Sequence, residues 1–275
     1  MQNKSFGKNI MQGIRLRMGK IFHNPYRIVN IGPFKKIYYK HLNPGKVRTH
    51  RLFGKEISYY SPTELLHGLK EIFVDEIYKQ DLPPRPYIID CGANIGLSII
   101  YMKRLYPDAE IVAFEPDEEN FKLLEKNIRS FGLDQVDARK EAVWIEDKML
   151  GFSGKHSTES RLVADNTIGS EMVKAIRLKN TIHKKIDFLK IDIEGAEYKV
   201  LLDLQGKLQL VKNLFLEYHG NFNQNGELNE ILIFLVNNGF RYYIKEAASV
   251  YKTPFFRKEG NSYPYDIQLN IFCFR

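Results

Sequence analysis

The chain has 275 residues, 44% of them hydrophobic, and a formal charge of +8 at pH 7. That hydrophobic content is enough for a packed core and excludes general disorder, and no run reaches the roughly 20 uninterrupted apolar residues that span a bilayer. The only cysteines, Cys91 and Cys273, sit in apolar runs, which excludes a disulfide framework and predicts reduced core thiols.

The charge is unevenly spread. Residues 1–60 carry 13 Lys/Arg against one acid, Glu56, whereas the other 28 basic residues face 32 acids. Ile14, Leu16, Met18, Ile21, Phe22, Phe34, Tyr38 and Tyr39 interleave with these cations, a pattern that suits an interfacial or packed segment better than a free tail. The segment reads either as a solvated extension or as a contact for an anionic carrier or a membrane surface. With no apolar h-region at the start, the expected location is cytoplasmic, with peripheral contact at the inner membrane surface as an option.

The first firm element opens at Ser61-Pro62-Thr63-Glu64, a capping box with proline at its first helical position. Leu65, Leu69, Ile72, Phe73 and Ile77 follow at helical spacing. The division is therefore a basic extension over 1–60 and a main domain over 61–275, with an N-terminal helix at 61–79.

From Tyr87 short apolar runs alternate with amphipathic stretches. Strands are predicted at 87–90, 111–114, 136–145, 188–191, 214–217, 240–245 and 269–274. Helices are predicted at 96–106, 118–131, 196–204 and 227–238, the second and fourth followed by Gly132 and Gly239. Runs such as Ile111–Phe114 are apolar on both faces, as strands of a helix-covered parallel sheet must be. The pattern predicts a doubly wound, Rossmann-like α/β fold. No helix separates the last two strands, so the seven-stranded, mostly parallel sheet should end in an antiparallel hairpin. An S-adenosylmethionine (SAM)-dependent methyltransferase would have such a sheet, although a fold alone does not establish function.

Ligands of open α/β sheets sit beyond the carboxyl ends of the strands. The first strand ends in Asp90-Cys91-Gly92-Ala93-Asn94-Ile95-Gly96, whose glycines permit a tight turn and close backbone approach to a ligand. The dinucleotide fingerprint G-x-G-x-x-G fails at Asn94 and Leu97, and no Walker sequence exists. A ligand without phosphates fits better, with Asp90 ordering the turn or facing an amino-acid end. The second strand ends in Glu115-Pro116, placed to accept from the hydroxyls of an adenosine ribose. The third, near Glu141-Ala142-Val143-Trp144, should border adenine, with Trp144 as a stacking candidate or core residue.

The fourth strand runs Lys190-Ile191-Asp192-Ile193-Glu194-Gly195-Ala196-Glu197. Asp192 and Glu194 share a face, and clustered acids at this edge ask for a cation, a shared proton or hydrogen-bond donors. Glu194 could instead cap the next helix, with Glu197 solvated. The fifth strand brings Glu217 and His219 to one face beside them. His219 or Asp192 could serve as a general base.

At Asp90–Gly96, Phe114-Glu115-Pro116 and Lys190–Gly195 the sequence resembles the FkbM-type methyltransferase family, over about residues 70–275. The resemblance implies SAM as cofactor and methylation of hydroxyl groups, frequently on sugars or polyketide-like natural products. By match, Asp90, Gly92, Asn94, Gly96 and Glu115 would hold SAM, and Asp192 and Glu194 would line the reaction centre. With their strand-end neighbours the expected cofactor set is Asp90, Gly92, Ala93, Asn94, Gly96, Glu115, Pro116, Ala142 and Asp192. The expected catalytic set is Asp192, Glu194 and His219. No metal ligand is assigned; a divalent cation on Asp192, Glu194 and Glu217 is the less favoured route.

The loop from Gly151 to Lys179, including Lys155 to Arg161, is expected to close over the acceptor, with the aromatics between Tyr251 and Tyr265. Two other function classes stay open. One is a non-catalytic SAM- or glycan-binding module, which intact acids at three strand ends argue against. The other is a nucleic-acid methyltransferase guided by the basic arm, and neither an Asn/Asp-Pro-Pro-aromatic motif after a strand nor a Pro-Cys nucleophile is present to support it.

Overall fold

The computed structural model describes residues 24–153, 161–163, 171–255 and 264–275. Its first part is a packed segment. Asn24 accepts from the Tyr26 N–H and donates to the Ile31 carbonyl, closing a 3-10 turn over Pro25–Val29. Helix α1 (Pro33–Lys40) and a hairpin of β1 (Arg48–Leu52) and β2 (Lys55–Tyr59) follow. Buried His50 ties them together, with Nε2 2.7 Å from the Val29 oxygen and Nδ1 3.2 Å from the Tyr39 hydroxyl. Tyr26, Val29, Tyr39, Leu52 and Ile57 share one core with Leu65 and Leu69.

Ser61 caps α2 (Pro62–Gly68), its hydroxyl accepting from the Glu64 N–H at 3.3 Å. The chain continues as a π-helical turn over Leu69–Val74 and stops there, short of the expected end at residue 79. Glu76 turns into the left-handed region, and Tyr78 swings inward against Phe188 and Phe215. Burying that ring outweighs another helical turn.

Strand and helix then alternate through β3 (Tyr87–Cys91), α3 (Leu97–Leu105), β4 (Glu110–Phe114), α4 (Glu118–Phe131) and β5 (Val136–Arg139). The limits of α4 agree with the expectation because both ends are chemically marked. Asp117 accepts from the N–H groups of Glu119 and Asn120, and Gly132 ends the helix in the left-handed conformation.

The strand expected over 136–145 is two strands. After β5 the chain leaves the main sheet, and β6 (Ala142–Trp144) pairs in parallel with β9 (Glu171–Arg177). Together with β7 (Lys148–Ser153) and β8 (Arg161–Val163) they form a separate four-stranded sheet. Lys140-Glu141 breaks the apolar run, and the partner of β6 lies some thirty residues on, where no local pattern points. Much of the expected loop at 151–179 is thus strand. Lys155 to Ser160 lie outside the described residues, and Arg161 is in β8.

Helix α5 (Leu178–Thr181) leads to β10 (Ile186–Ile191), α6 (Glu197–Asp203), β11 (Val211–Gly220), α7 (Asn225–Asn237), β12 (Arg241–Glu246) and β13 (Ile267–Phe274). The main sheet has the order β12-β13-β11-β10-β3-β4-β5, with β13 antiparallel to both neighbours. This is the expected seven-stranded, mostly parallel sheet with an antiparallel end. The chain winds outward from β3 to β5 on one side and from β10 to β11 on the other, so the switch point lies between β3 and β10. Among the described residues no helix is long and apolar enough to cross a membrane.

Candidate active site

Two adjoining cavities open at the carboxyl ends of these strands. The first, about 640 Å³, is lined by Gly92, Asn94, Glu115, Pro116, Ala142 and Asp192 among others. The second, about 1560 Å³, is lined by His67, Glu71, Ala93, Glu217, His219 and Tyr265 among others. Gly92, Asn94, Asn120, Asp192 and Glu194 border both.

The turn after β3 is built on contact with the turn after β10. Gly92 has φ +86°, and a Cβ there would lie 1.8 Å from the Asp192 carbonyl oxygen. Lys190 braces the turn from below: Nζ donates to the Gly92 carbonyl at 2.8 Å and lies 3.1 Å from Asp192 Oδ2 and 3.3 Å from Asp90 Oδ1. Burial opposes charge on Lys190, but the two aspartates overcome it and hold the ammonium well above its usual range. The Ser98 hydroxyl donates to Asp90. Asp90 therefore sits beneath the turn and lines neither cavity, and Gly96 stands behind it as the N-cap of α3.

Glu115 is buried at the wall of the first cavity. One carboxylate oxygen accepts from the Asn94 N–H at 2.8 Å, the other from the Asp117 N–H at 3.0 Å. Burial pushes its carboxyl up to about 7, against the pull of those donors. Glu141, Ala142 and Val143 form the facing wall. Trp144 is not on that wall; Lys199 lies over its ring.

Asp192, Glu194 and His219 come together: one donor atom from each lies within 4.8 Å of the others. Glu197, which the sequence allowed to be solvated, is 1% exposed. Its Oε1 accepts from the N–H groups of Ile193 and Gly195, both at 3.0 Å, and lies 3.1 Å from His219 Nδ1. His219 Nε2 faces Glu194 and Glu217 at 3.6 and 3.7 Å. The Tyr265 hydroxyl donates to the Glu194 carbonyl at 2.6 Å, and its ring lies 4.8 Å from the imidazole. Burial works against charge on His219, yet Glu197 and its acidic neighbours raise the ring to about 10. Burial pushes Glu194 to about 8 and Glu217 well above the usual carboxylate range.

Lys190, Glu197 and Glu71 belong to the candidate site but have no specific role in the sequence-based expectation, whereas Tyr265, one of the aromatics expected over the acceptor, lines the second cavity. A lysine inside an apolar strand, two positions before Asp192, was the available signal for Lys190. Glu71 accepts from the Asn270 side chain, a pairing across 199 positions that no local pattern carries. Tyr251 stacks on Phe222 and, like exposed Phe255, lines neither cavity; Phe256 and Tyr263 lie outside the described residues.

Chemically, one side offers a carboxylate and a close-approach main chain to a neutral or cationic ligand. The other offers acids and an imidazole to a group that must lose a proton. Residues 90–242 match the model of the methyltransferase FkbM domain. Methyltransferase sdnD of Sordaria araneosa is 29% identical over 225 residues, 67% of this chain and 86% of that protein. Methyltransferase 1 of Beauveria bassiana is 30% identical over 186 residues, 56% and 72% of the two chains. The 31-O-demethyl-FK506 methyltransferase FkbM of Streptomyces tacrolimicus is 25% identical over 230 residues, 68% and 86%. The chain belongs to the FkbM-domain family of methyltransferases.

Proposed function

We propose that this protein transfers the methyl group of SAM to a hydroxyl oxygen of a sugar, glycan or natural-product acceptor. The observation that carries the reading is the wall shared by the two cavities. A nucleoside held between Glu115 and Ala142 would direct its far end past Gly92 and Asp192, toward the cavity that holds His219. The residues fit SAM: a buried carboxylate suits ribose hydroxyls, the space a Cβ would fill at Gly92 lets main chain approach, and acids meet positive charge.

SAM supplies a methyl group on a sulfonium, to be displaced in line by the acceptor oxygen. The chain's part is alignment, which can be worth about 7–11 kcal/mol of the barrier, and removal of the hydroxyl proton, worth roughly 10²–10⁴-fold. Asp192 is the proton acceptor, and Glu194 and His219 line the reaction centre beside it. Asp90 and Lys190 act through the turn they support and are positioning residues. An oxygen acceptor is in keeping with the name of the Streptomyces relative, which specifies a 31-O-demethyl compound.

The segment before α2 is proposed to contact an anionic carrier or membrane surface. Ile28, Phe34, Ile37 and Tyr38 are exposed there amid Arg27, Lys35, Lys36 and Lys40. Co-sedimentation with anionic vesicles, absent with neutral ones, is the expected result.

Calorimetry with S-adenosylhomocysteine tests the cofactor, and transfer of isotopically labelled methyl from SAM to a panel of hydroxyl compounds tests the acceptor. Absence of any affinity for S-adenosylhomocysteine would overturn the cofactor assignment. Label recovered on nitrogen or carbon would overturn the oxygen assignment.

A further inference from the structure

We propose that Asp192, Glu194, Glu217 and His219 form a site for one divalent cation at the floor of the acceptor cavity. The inference rests on the methyltransferase reading and deepens it, because the cation would hold the acceptor oxygen.

Geometry comes first. One donor atom each from Asp192, Glu194 and His219 lies within a 4.8 Å span, and Glu217 Oε1 is 3.7 Å from His219 Nε2. Ligands of an octahedral ion at about 2.1 Å stand roughly 3.0–4.2 Å apart. Binding an ion would draw these groups closer by side-chain rotation.

The imidazole supplies a separate observation. Nδ1 is committed to Glu197, whose carboxylate is itself pinned by the N–H groups of Ile193 and Gly195. Nε2 is aimed into the cluster, on a side chain only 3% exposed, with the Glu194 and Glu217 carboxylate oxygens at 3.6 and 3.7 Å, beyond hydrogen-bond reach. A histidine oriented by a carboxylate on one nitrogen, with the other facing oxygen ligands, is the arrangement that steers imidazole onto a metal. A cation there takes the place of the ring's second proton.

Charge agrees. Lys190 is the cation beside Asp192, but it is divided among Asp192, Asp90 and the Gly92 carbonyl. Glu194 and Glu217 are left facing the imidazole. Three carboxylates and one imidazole suit a hard to borderline ion such as Mn²⁺ or Mg²⁺. The cluster opens into the second cavity, so a bound ion would keep a coordination position for a hydroxyl and lower its pKa.

The test is titration of the EDTA-stripped full chain with Mn²⁺, without SAM or acceptor, followed by electron paramagnetic resonance. The expected result is one Mn²⁺ per chain, with a ¹⁴N coupling from His219. His219→Ala should lose that coupling, and both His219→Ala and Glu217→Gln should weaken Mn²⁺ at least about tenfold while S-adenosylhomocysteine still binds, which shows that each variant is folded. Absence of Mn²⁺ binding at millimolar concentration, or binding without ¹⁴N coupling, or binding unchanged in both variants, would overturn the site. S-adenosylhomocysteine binding without Mn²⁺ binding would sink only the cation; the reverse would sink only the cofactor reading.

Discussion

Gly92 and Asp192 meet main chain to main chain: a single added carbon on the glycine would stand 1.8 Å from the aspartate carbonyl oxygen. The loop that would cradle the cofactor and the loop that carries the acids are therefore one packed unit, and distortion of either reaches both.

Gly92→Ala should cost about 2–4 kcal/mol of stability, combining the strain of a positive φ with displacement of backbone, and should reduce affinity for S-adenosylhomocysteine at least about tenfold. Gly54→Ala is the control. Its φ is +84°, but nothing lies within 4 Å of the added carbon. It should cost only about 1–2 kcal/mol and leave affinity unchanged. Thermal melts and calorimetry on both variants decide the matter, and equal effects would contradict the packed-loop account.

If Glu115 holds the cofactor as proposed, cofactor affinity should depend on pH. Its folded carboxyl titrates near 7 against an ordinary 4.5. The stability that this group contributes is therefore fully present below about pH 4.5 and is lost as pH rises toward 7. Affinity for S-adenosylhomocysteine runs the other way, rising between pH 6 and 8 as the carboxylate becomes a better acceptor for ribose hydroxyls. Glu115→Gln should flatten that rise and cost about 1.5–3 kcal/mol of binding. Calorimetry across the pH series is the measurement.

Asn127 joins the hairpin to the glycine turn. Its side chain accepts from the Ser58 N–H at 2.7 Å and donates to the carbonyls of Ser58 and Ile95, at 3.0 and 2.8 Å. Asn127→Ala strands buried main-chain groups, with an expected loss of about 2–4 kcal/mol and a fall in Tm of roughly 5–15 °C. A melting scan that shows no fall would mean water replaces the amide.

On the proposed function, Glu197 would act on the reaction through His219, whose Nδ1 it holds at 3.1 Å. Glu197→Gln should lower kcat about 10- to 100-fold with little change in KM for SAM. Since Glu197 helps raise the ring to about 10, NMR titration should find the His219 pKa lower in the variant. An unchanged imidazole titration would leave Glu197 as packing alone.

The sequence by itself determined the parts whose causes are local. Asp117 and Gly132 bound α4, the glycines after β3 mark a tight turn, and Glu115 falls at the end of an apolar run. Such signals act through sterics and hydrogen bonds over a few residues, so they are legible in order. Tertiary structure decided what depends on distant partners. It moved β6 out of the main sheet to pair with β9, placed Lys190 beneath Gly92, sent Asp90 below the turn, and set Glu197 against His219 across 22 positions. Each of these is a choice among competing long-range contacts, made by burial and charge neutralisation in a low-dielectric interior, and such choices leave no periodicity in the chain.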